Sequence, residues 1–318
     1  AIASPDGYWD ASSKGGSLVN MVDGRVAYGI DQFAARTNRP DILAERLGAP
    51  PELAELFRER HEARLRKLGL GEAAQAAEPR VPKSRIASVK REGRFALLEL
   101  AFESAGPGLA SYQVYANDVP LLGSPGKALS GRSASASERV ELVPGRNKLE
   151  LSCLDLSGAE SYRAPLLLDL EEAAAPDLYY VGLGVARYAD RAIPELAYPA
   201  KDALALAGAF AAMQGRPFRE VKTLVLADAK VSRKGLDAIG RFAAPARPGD
   251  LFVLFIAGHG IQLESGRGGY EYYYVTGDSK LATIHEKAIP FAELEALVSG
   301  VAPRQKLFLI DTCQSGEA

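Results

Sequence analysis

Two apolar runs in this chain stop abruptly at a reactive side chain beside glycine: LFVLFIAGHG at 251–260 and KLFLIDTCQSGEA at 306–318. The first delivers His259 and the second Cys313. A thiol attacks carbon as its thiolate, a form scarce at neutral pH unless the surroundings favour it. An imidazole can take or share that proton and later hand it to a leaving amine, because it titrates near operating pH. The pair therefore reads as nucleophile and base of a covalent, peptide-cleaving mechanism. Attack on a peptide carbonyl creates an oxyanion, which calls for pre-aimed donors. Gly260 has no Cβ to obstruct close approach, so its N–H and that of Cys313 are the candidate oxyanion hole. Asp311, two residues before Cys313, shares its strand face by alternation and could line the pocket for the side chain preceding the cut bond.

Each of these residues also has a plainer reading. Free cysteine is among the most buried residue types, and a histidine can simply cap a strand. Asp311 could pair with a backbone group or a lysine. A metal site built from His259, Cys313 and Asp311 is disfavoured, because no ligand-spaced His/Cys cluster accompanies them. The other histidines, His61 and His285, are isolated. His61 reads as a solvated helix residue. No cofactor is expected.

The elements that must position the pair lie in the last 147 or so residues, where strand and helix patterns alternate. Strands are predicted at 178–186, 221–228, 251–260 and 306–311, and helices at 200–213, 232–243 and 291–300. YEYYYVTGD at 270–278 reads as a small hairpin or edge element, its tyrosines serving packing. The strands are apolar throughout, the mark of a parallel sheet covered on both faces. Reactive residues at strand carboxyl ends suit such a sheet, because that edge is where its ligands bind.

Upstream, residues 1–80 carry a Gly/Ser/Asp-rich stretch with Tyr8 and Trp9, which reads as an anchor to its neighbour. A helix opening at Pro51 follows, with an expected apolar stripe of Leu53, Leu56, Phe57, Leu65 and Leu68 and a stop at Gly69. An Ala/Glu/Pro-rich linker is expected at 71–83. Residues 84–171 read as an all-β domain of about five to seven short strands, a small sandwich, with PGRN at 144–147 as a hairpin turn. Residues 177–318 complete the division.

Composition bounds the alternatives. The chain is 47% apolar and 25% charged, with a formal charge of -2. That leaves no broad electrostatic footprint for nucleic acid or anionic lipid. No apolar run approaches the roughly 20 residues needed to span a bilayer, and AIASPDGYWD is not a signal peptide. The two cysteines, Cys153 and Cys313, fall in different predicted domains, so no disulfide is expected and a cytoplasmic setting is the default.

The ordered pair AGHG and DTCQSG, on successive core strands, resembles the caspase-like superfamily, especially its metacaspase and bacterial branches. The lead-in YYVGLGVARYADRAIPELAYPAKDALALAGAF is similar to that family's first strand, loop and helix, with Asp202-Ala203 opening the helix. The resemblance covers roughly residues 177–318. It implies an α/β, three-layer caspase-like fold with a mainly parallel sheet and a cysteine endopeptidase working by a Cys313–His259 dyad. GYWDAS with RPDILAERLG looks like the segment that follows a β-propeller in some bacterial relatives, and the middle domain resembles an immunoglobulin-like sandwich.

Caspases carry glutamine where this chain has Asp311; the metacaspase-like branch carries aspartate and cuts after Arg or Lys. The resemblance thus implies a basic preference, with Asp202 as the second carboxylate holding one guanidinium. Asp202 also has a commonplace reading as an acid in a helix's first turn. Ala257 stands where metacaspases often have serine, which removes one polar pocket contact. Some metacaspases need calcium; Glu271 and Asp278 are the nearest acidic candidates, no dense acidic loop accompanies them, and calcium stays open. In this family a linker and a small subunit follow the catalytic strand, so 177–318 reads as a large-subunit portion, with a small subunit from the same precursor and a regulatory protein as expected partners. Two alternatives stand beside this reading: a non-catalytic scaffold on the same fold, and a related peptidase directed to acidic side chains.

Overall fold

The computed structural model describes residues 1–12, 14–23, 25–70, 80–172, 174–264 and 270–313. Most of the expected 71–83 linker, and Gln314 to Ala318 after the cysteine, lie outside the described residues. The chain divides into two compact units, Ala1–Leu170 and Glu171–Ala318.

In the C-terminal unit the strands Leu178–Gly184 (β1), Val221–Ala227 (β2), Leu251–Gly258 (β3) and Gln305–Thr312 (β6) form a wholly parallel sheet in the order β2-β1-β3-β6. The helix Pro199–Ala211 (α1) covers one face. There Ala203 and Ala207 pack with Leu178, Tyr180, Val253, Phe255, Ala257 and Leu309. The helices Arg233–Ala243 (α2) and Phe291–Gly300 (α3) cover the other, where Ile239, Ala243 and Leu294 join Val181, Leu183, Leu254 and Ile256. The expected α/β three-layer architecture is therefore present, and it follows from strands that are apolar on both faces. An antiparallel pair, Gly260–Glu264 (β4) and Tyr270–Tyr274 (β5), flanks the sheet.

α1 begins beside the carboxyl end of β1. A Cβ on Gly184 would meet the carbonyl oxygen of Pro199 at 2.3 Å, so only glycine lets the helix start so close. The first turn of α1 thus belongs to the same sheet edge at which β3 and β6 end.

The N-terminal unit holds two two-stranded antiparallel pairs and two larger antiparallel sheets. One orders Ser133–Glu141, Phe95–Glu103 and Lys83–Glu92; the other is built on Gly145–Asp155 between Leu166–Leu170 and Leu109–Ala116. A shared core of Leu98, Leu100, Phe102, Tyr112, Val114, Leu149 and Leu151 lies between them. PGRN does not make a hairpin: the strands before and after it belong to different sheets. Asn147 is buried there and bonds Val143 through both its amide groups, which makes a corner rather than a two-stranded turn. The strand Lys83–Glu92 had no apolar alternation to announce it, because it is an ionic edge strand.

The helix Pro51–Lys67 starts and stops near the expected residues, but its buried face differs from the expected stripe. Leu53 and Leu56 are exposed, while Ala54 and His61 are buried. His61 is thus not solvated. Arg64 donates to its Nδ1 at 2.9 Å, which fixes a neutral ring protonated at Nε2. Trp9 is buried and its indole N–H donates to Thr37 at 2.9 Å, consistent with an anchoring side chain. Both cysteines are free. Among the described residues no helix is long and apolar enough to cross a membrane.

Candidate active site

The register of β3 and β6 pairs Ala257 with Asp311 and Gly258 with Thr312. His259 and Cys313 follow directly after the last residues of β3 and β6, which puts both at the carboxyl edge of the sheet. Leu309 packs on the α1 face and Phe308 and Ile310 on the opposite face. By alternation Asp311 lies on the α1 face, and Cys313 follows it. Thr312 points the other way, its hydroxyl 2.6 Å from the Tyr272 hydroxyl. Cys313 is exposed, as a nucleophile must be, whereas Cys153 is buried and burial pushes its thiol up to about 12.

His259 is half-buried and held from several sides. Its Nε2 lies 2.8 Å from the carbonyl oxygen of Pro194. A carbonyl only accepts, so Nε2 carries the proton and Nδ1 is left as the basic nitrogen. Its backbone N–H donates to the Tyr188 hydroxyl at 2.9 Å, and its carbonyl accepts from the Val275 N–H at 2.9 Å. The partner that orients this ring is a backbone oxygen, a group every residue carries and no sequence pattern reveals.

Gly260, opposite Tyr274 in β4–β5, is followed on the strand rung by the Val275–His259 bond. Ladder alternation therefore turns the Gly260 N–H away from β5. A Cβ at 260 would meet the Cys313 carbonyl oxygen at 2.5 Å and the Tyr272 ring at 2.6 Å, which is how closely the backbones of the two strand ends approach.

Three buried or half-buried tyrosines wall this edge. Tyr274 donates to the Ala257 carbonyl at 2.9 Å, Tyr272 bonds Thr312, and Tyr188 bonds His259. They tie β5 and the β1–α1 loop to the ends of β3 and β6. Tyr272 and Tyr274 of β5 pack as expected, while Tyr270 is exposed; the hydroxyl bonds of the first two to the strand ends could not be read from the sequence.

Asp202 lies half-buried in the first turn of α1, next to Ala203. Ala203 packs in the same cluster as Ala257, the register partner of Asp311. Asp311 is exposed and makes no ion pair among the described residues. Both carboxylates thus belong to the α1 side of the edge that carries Cys313. Glu271 and Asp278 sit apart from each other: Tyr273 donates to Glu271 at 3.3 Å, while Asp278 accepts from Thr276 at 2.7 Å and pairs with Lys287 at 3.4 Å. No cluster of three metal-binding side chains occurs among the described residues.

Residues 183–318 match the family model for the caspase domain. This part of the chain is a caspase domain. Among solved structures the chain is similar to protein GSU0716 from Geobacter sulfurreducens, with 26% identity over 44% of this chain and 52% of that one and a TM-score of 0.36. It is also similar to OgpA from Akkermansia muciniphila, with 16% identity over 31% of each chain and a TM-score of 0.25. The chain thus spans about half the length of the first and a third of the second, and overlaps this loose bear on no chemistry. A search of the curated proteins gives no match. At the carboxyl edge of this sheet the chain carries an exposed Cys313 after β6 and, after β3, a His259 whose ring meets the Pro194 carbonyl.

Proposed function

We propose that the caspase domain is a cysteine endopeptidase in which Cys313 is the nucleophile and His259 the general base and acid. The observation that carries this reading is the register of β3 and β6, which ends both strands on one rung, Gly258 opposite Thr312, with His259 and Cys313 next in sequence. Nδ1 of His259 takes the thiol proton and the thiolate attacks the scissile carbonyl carbon. The oxyanion accepts from the N–H groups of Gly260 and Cys313. As the tetrahedral species collapses, the carbon–nitrogen bond breaks and His259 returns the proton to the amine. Water, deprotonated by the same imidazole, then hydrolyses the thioester. Asp311 and Asp202 form the acidic pocket that favours Arg or Lys before the cut. Substrates are proteins or peptides, and no metal or cofactor takes part in the bond-breaking steps. A small subunit, a regulatory partner and a reducing, cytoplasmic setting complete the proposal, with the immunoglobulin-like sandwich at 84–171 and the segment before it as docking or regulatory modules.

The test is fluorophore release from short peptides ending in Arg, Lys, Asp or Ala, with and without calcium, by the chain and its Cys313→Ala variant. Cleavage after Arg or Lys that disappears in the variant is expected. Asp311→Asn should selectively damage that cleavage. Full Arg/Lys activity in Asp311→Asn would sink the pocket assignment, and cleavage surviving in Cys313→Ala would sink the nucleophile.

A further inference from the structure

The loop between β1 and α1 reaches His259 twice. The Pro194 carbonyl accepts from the Nε2 N–H, and Tyr188, six residues earlier, meets the histidine's backbone and its ring. The Tyr188 hydroxyl accepts from the His259 backbone N–H at 2.9 Å and donates to the Val185 carbonyl at 3.3 Å. Its ring lies against the imidazole, with centroids 5.2 Å apart and planes at 32°. The tyrosine packs against the buried cluster under α2 and α3, so its ring is braced from behind.

We propose that Tyr188 is a positioning residue for His259, its hydroxyl fixing the histidine's backbone and its ring fixing the plane of the imidazole. This rests on His259 and Cys313 acting as the catalytic pair. With one ring nitrogen committed to Pro194 and one ring face to Tyr188, Nδ1 points in a single direction. The titratable groups around Tyr188 are Tyr274, His259, Asp228, Cys313 and Tyr272. Burial, with the last three of these, pushes the phenol up to about 12 against the opposing His259 amide bond, so it stays a neutral hydroxyl.

The experiment is alkylation of Cys313 by iodoacetamide in the full chain, followed by peptide mass at neutral and at strongly alkaline pH. At alkaline pH any accessible thiol is ionised, and the rate reports access alone. At neutral pH it reports how well the imidazole takes the proton. Buried Cys153 is the slow internal reference. Tyr188→Leu is expected to slow the neutral reaction about tenfold, one unit of proton affinity, with the alkaline rate unchanged. Tyr188→Phe, which loses only the hydroxyl, should slow it about threefold. His259→Ala tests the underlying pair and should slow the neutral reaction at least as much as Tyr188→Leu. If His259→Ala keeps the wild-type ratio of neutral to alkaline rates, the pair reading fails and the proposal with it. If His259→Ala lowers the ratio while both Tyr188 variants keep it, the pair stands and Tyr188 is not its positioning residue. A fall of both rates together in both Tyr188 variants would likewise overturn the proposal, since only the fold would then depend on the tyrosine.

Discussion

A methyl group at position 260 would have to occupy space 2.5 Å from the Cys313 carbonyl oxygen and 2.6 Å from the Tyr272 ring. Neither neighbour can yield cheaply: the first is the backbone of Cys313, the proposed nucleophile, and the second bonds Thr312. Gly260→Ala should therefore cost about 1–3 kcal/mol by overpacking. It should cost far more in catalysis, about a hundredfold in kcat, because a displacement of about an ångström between reacting groups is enough. Kinetics beside thermal unfolding checks this; a variant with lost stability and undiminished kcat would contradict it. At this scale the sequence displays what side-chain identity carries, namely the thiol, the imidazole and the glycine beside it. It does not display Pro194, whose part is played by a carbonyl, or Tyr188, whose meaning depends on a loop folding back over the strand ends. His61 misled for the related reason that a histidine in a charged helix gives no sign of which face is turned inward.

The element that matters most to the site is the β1–α1 loop, and Asp228, at the end of β2, clamps it. One carboxylate oxygen accepts from the N–H groups of Ala186 and Arg187 at 2.9 and 3.0 Å, and the other from the Arg187 guanidinium. Burial opposes ionisation of this carboxyl, but the two amides and the guanidinium outweigh it and hold it below the usual carboxylate range. Asp228 itself has φ 49°, a conformation Asp and Asn tolerate better than other side-chain-bearing residues. Asp228→Asn keeps an acceptor for both amides and should retain most activity. Asp228→Ala leaves them unpaired, costs about 1–3 kcal/mol, and should lower kcat about tenfold by loosening Tyr188 and Pro194. Equal kcat in the two variants would separate the clamp from the site. Element type was legible wherever the apolar period was strong, as in β1, β3 and α1. It failed at Lys83–Glu92, whose alternation is ionic, and at PGRN, where turn chemistry gives the bend but not the sheet the chain enters next.

At the scale of the molecule, each of the two compact units has its own core, and their responses to acid can be read separately. The single tryptophan, Trp9, is buried in the N-terminal unit, so its fluorescence reports on that unit alone. His61 lies in the same network: Arg64 donates both to His61 and to Asn38, whose amide donates to the Trp9 carbonyl. Burial first, then the charges of Arg39 and Arg64, depress His61 from 6.5 to about 4, against the weaker pull of Asp41 and Glu62. The folded unit therefore refuses a proton that the unfolded chain binds below pH 6.5. Stability from this source is complete above 6.5, falls as pH drops through the window, and levels off below about 4. The expected loss is about 2–3 kcal/mol. Asp41, where the Arg39 guanidinium outweighs burial, is held below its ordinary 3.8, so its own acid limb opens only beneath that window. Denaturant unfolding of the full chain, followed by Trp9 fluorescence across this range, should show the decline in the wild type. His61→Gln keeps an acceptor for Arg64 and takes up no proton, so its stability should stay level between those two pH values. A decline of equal size in His61→Gln would assign the acid response to other groups and refute this role for the buried imidazole.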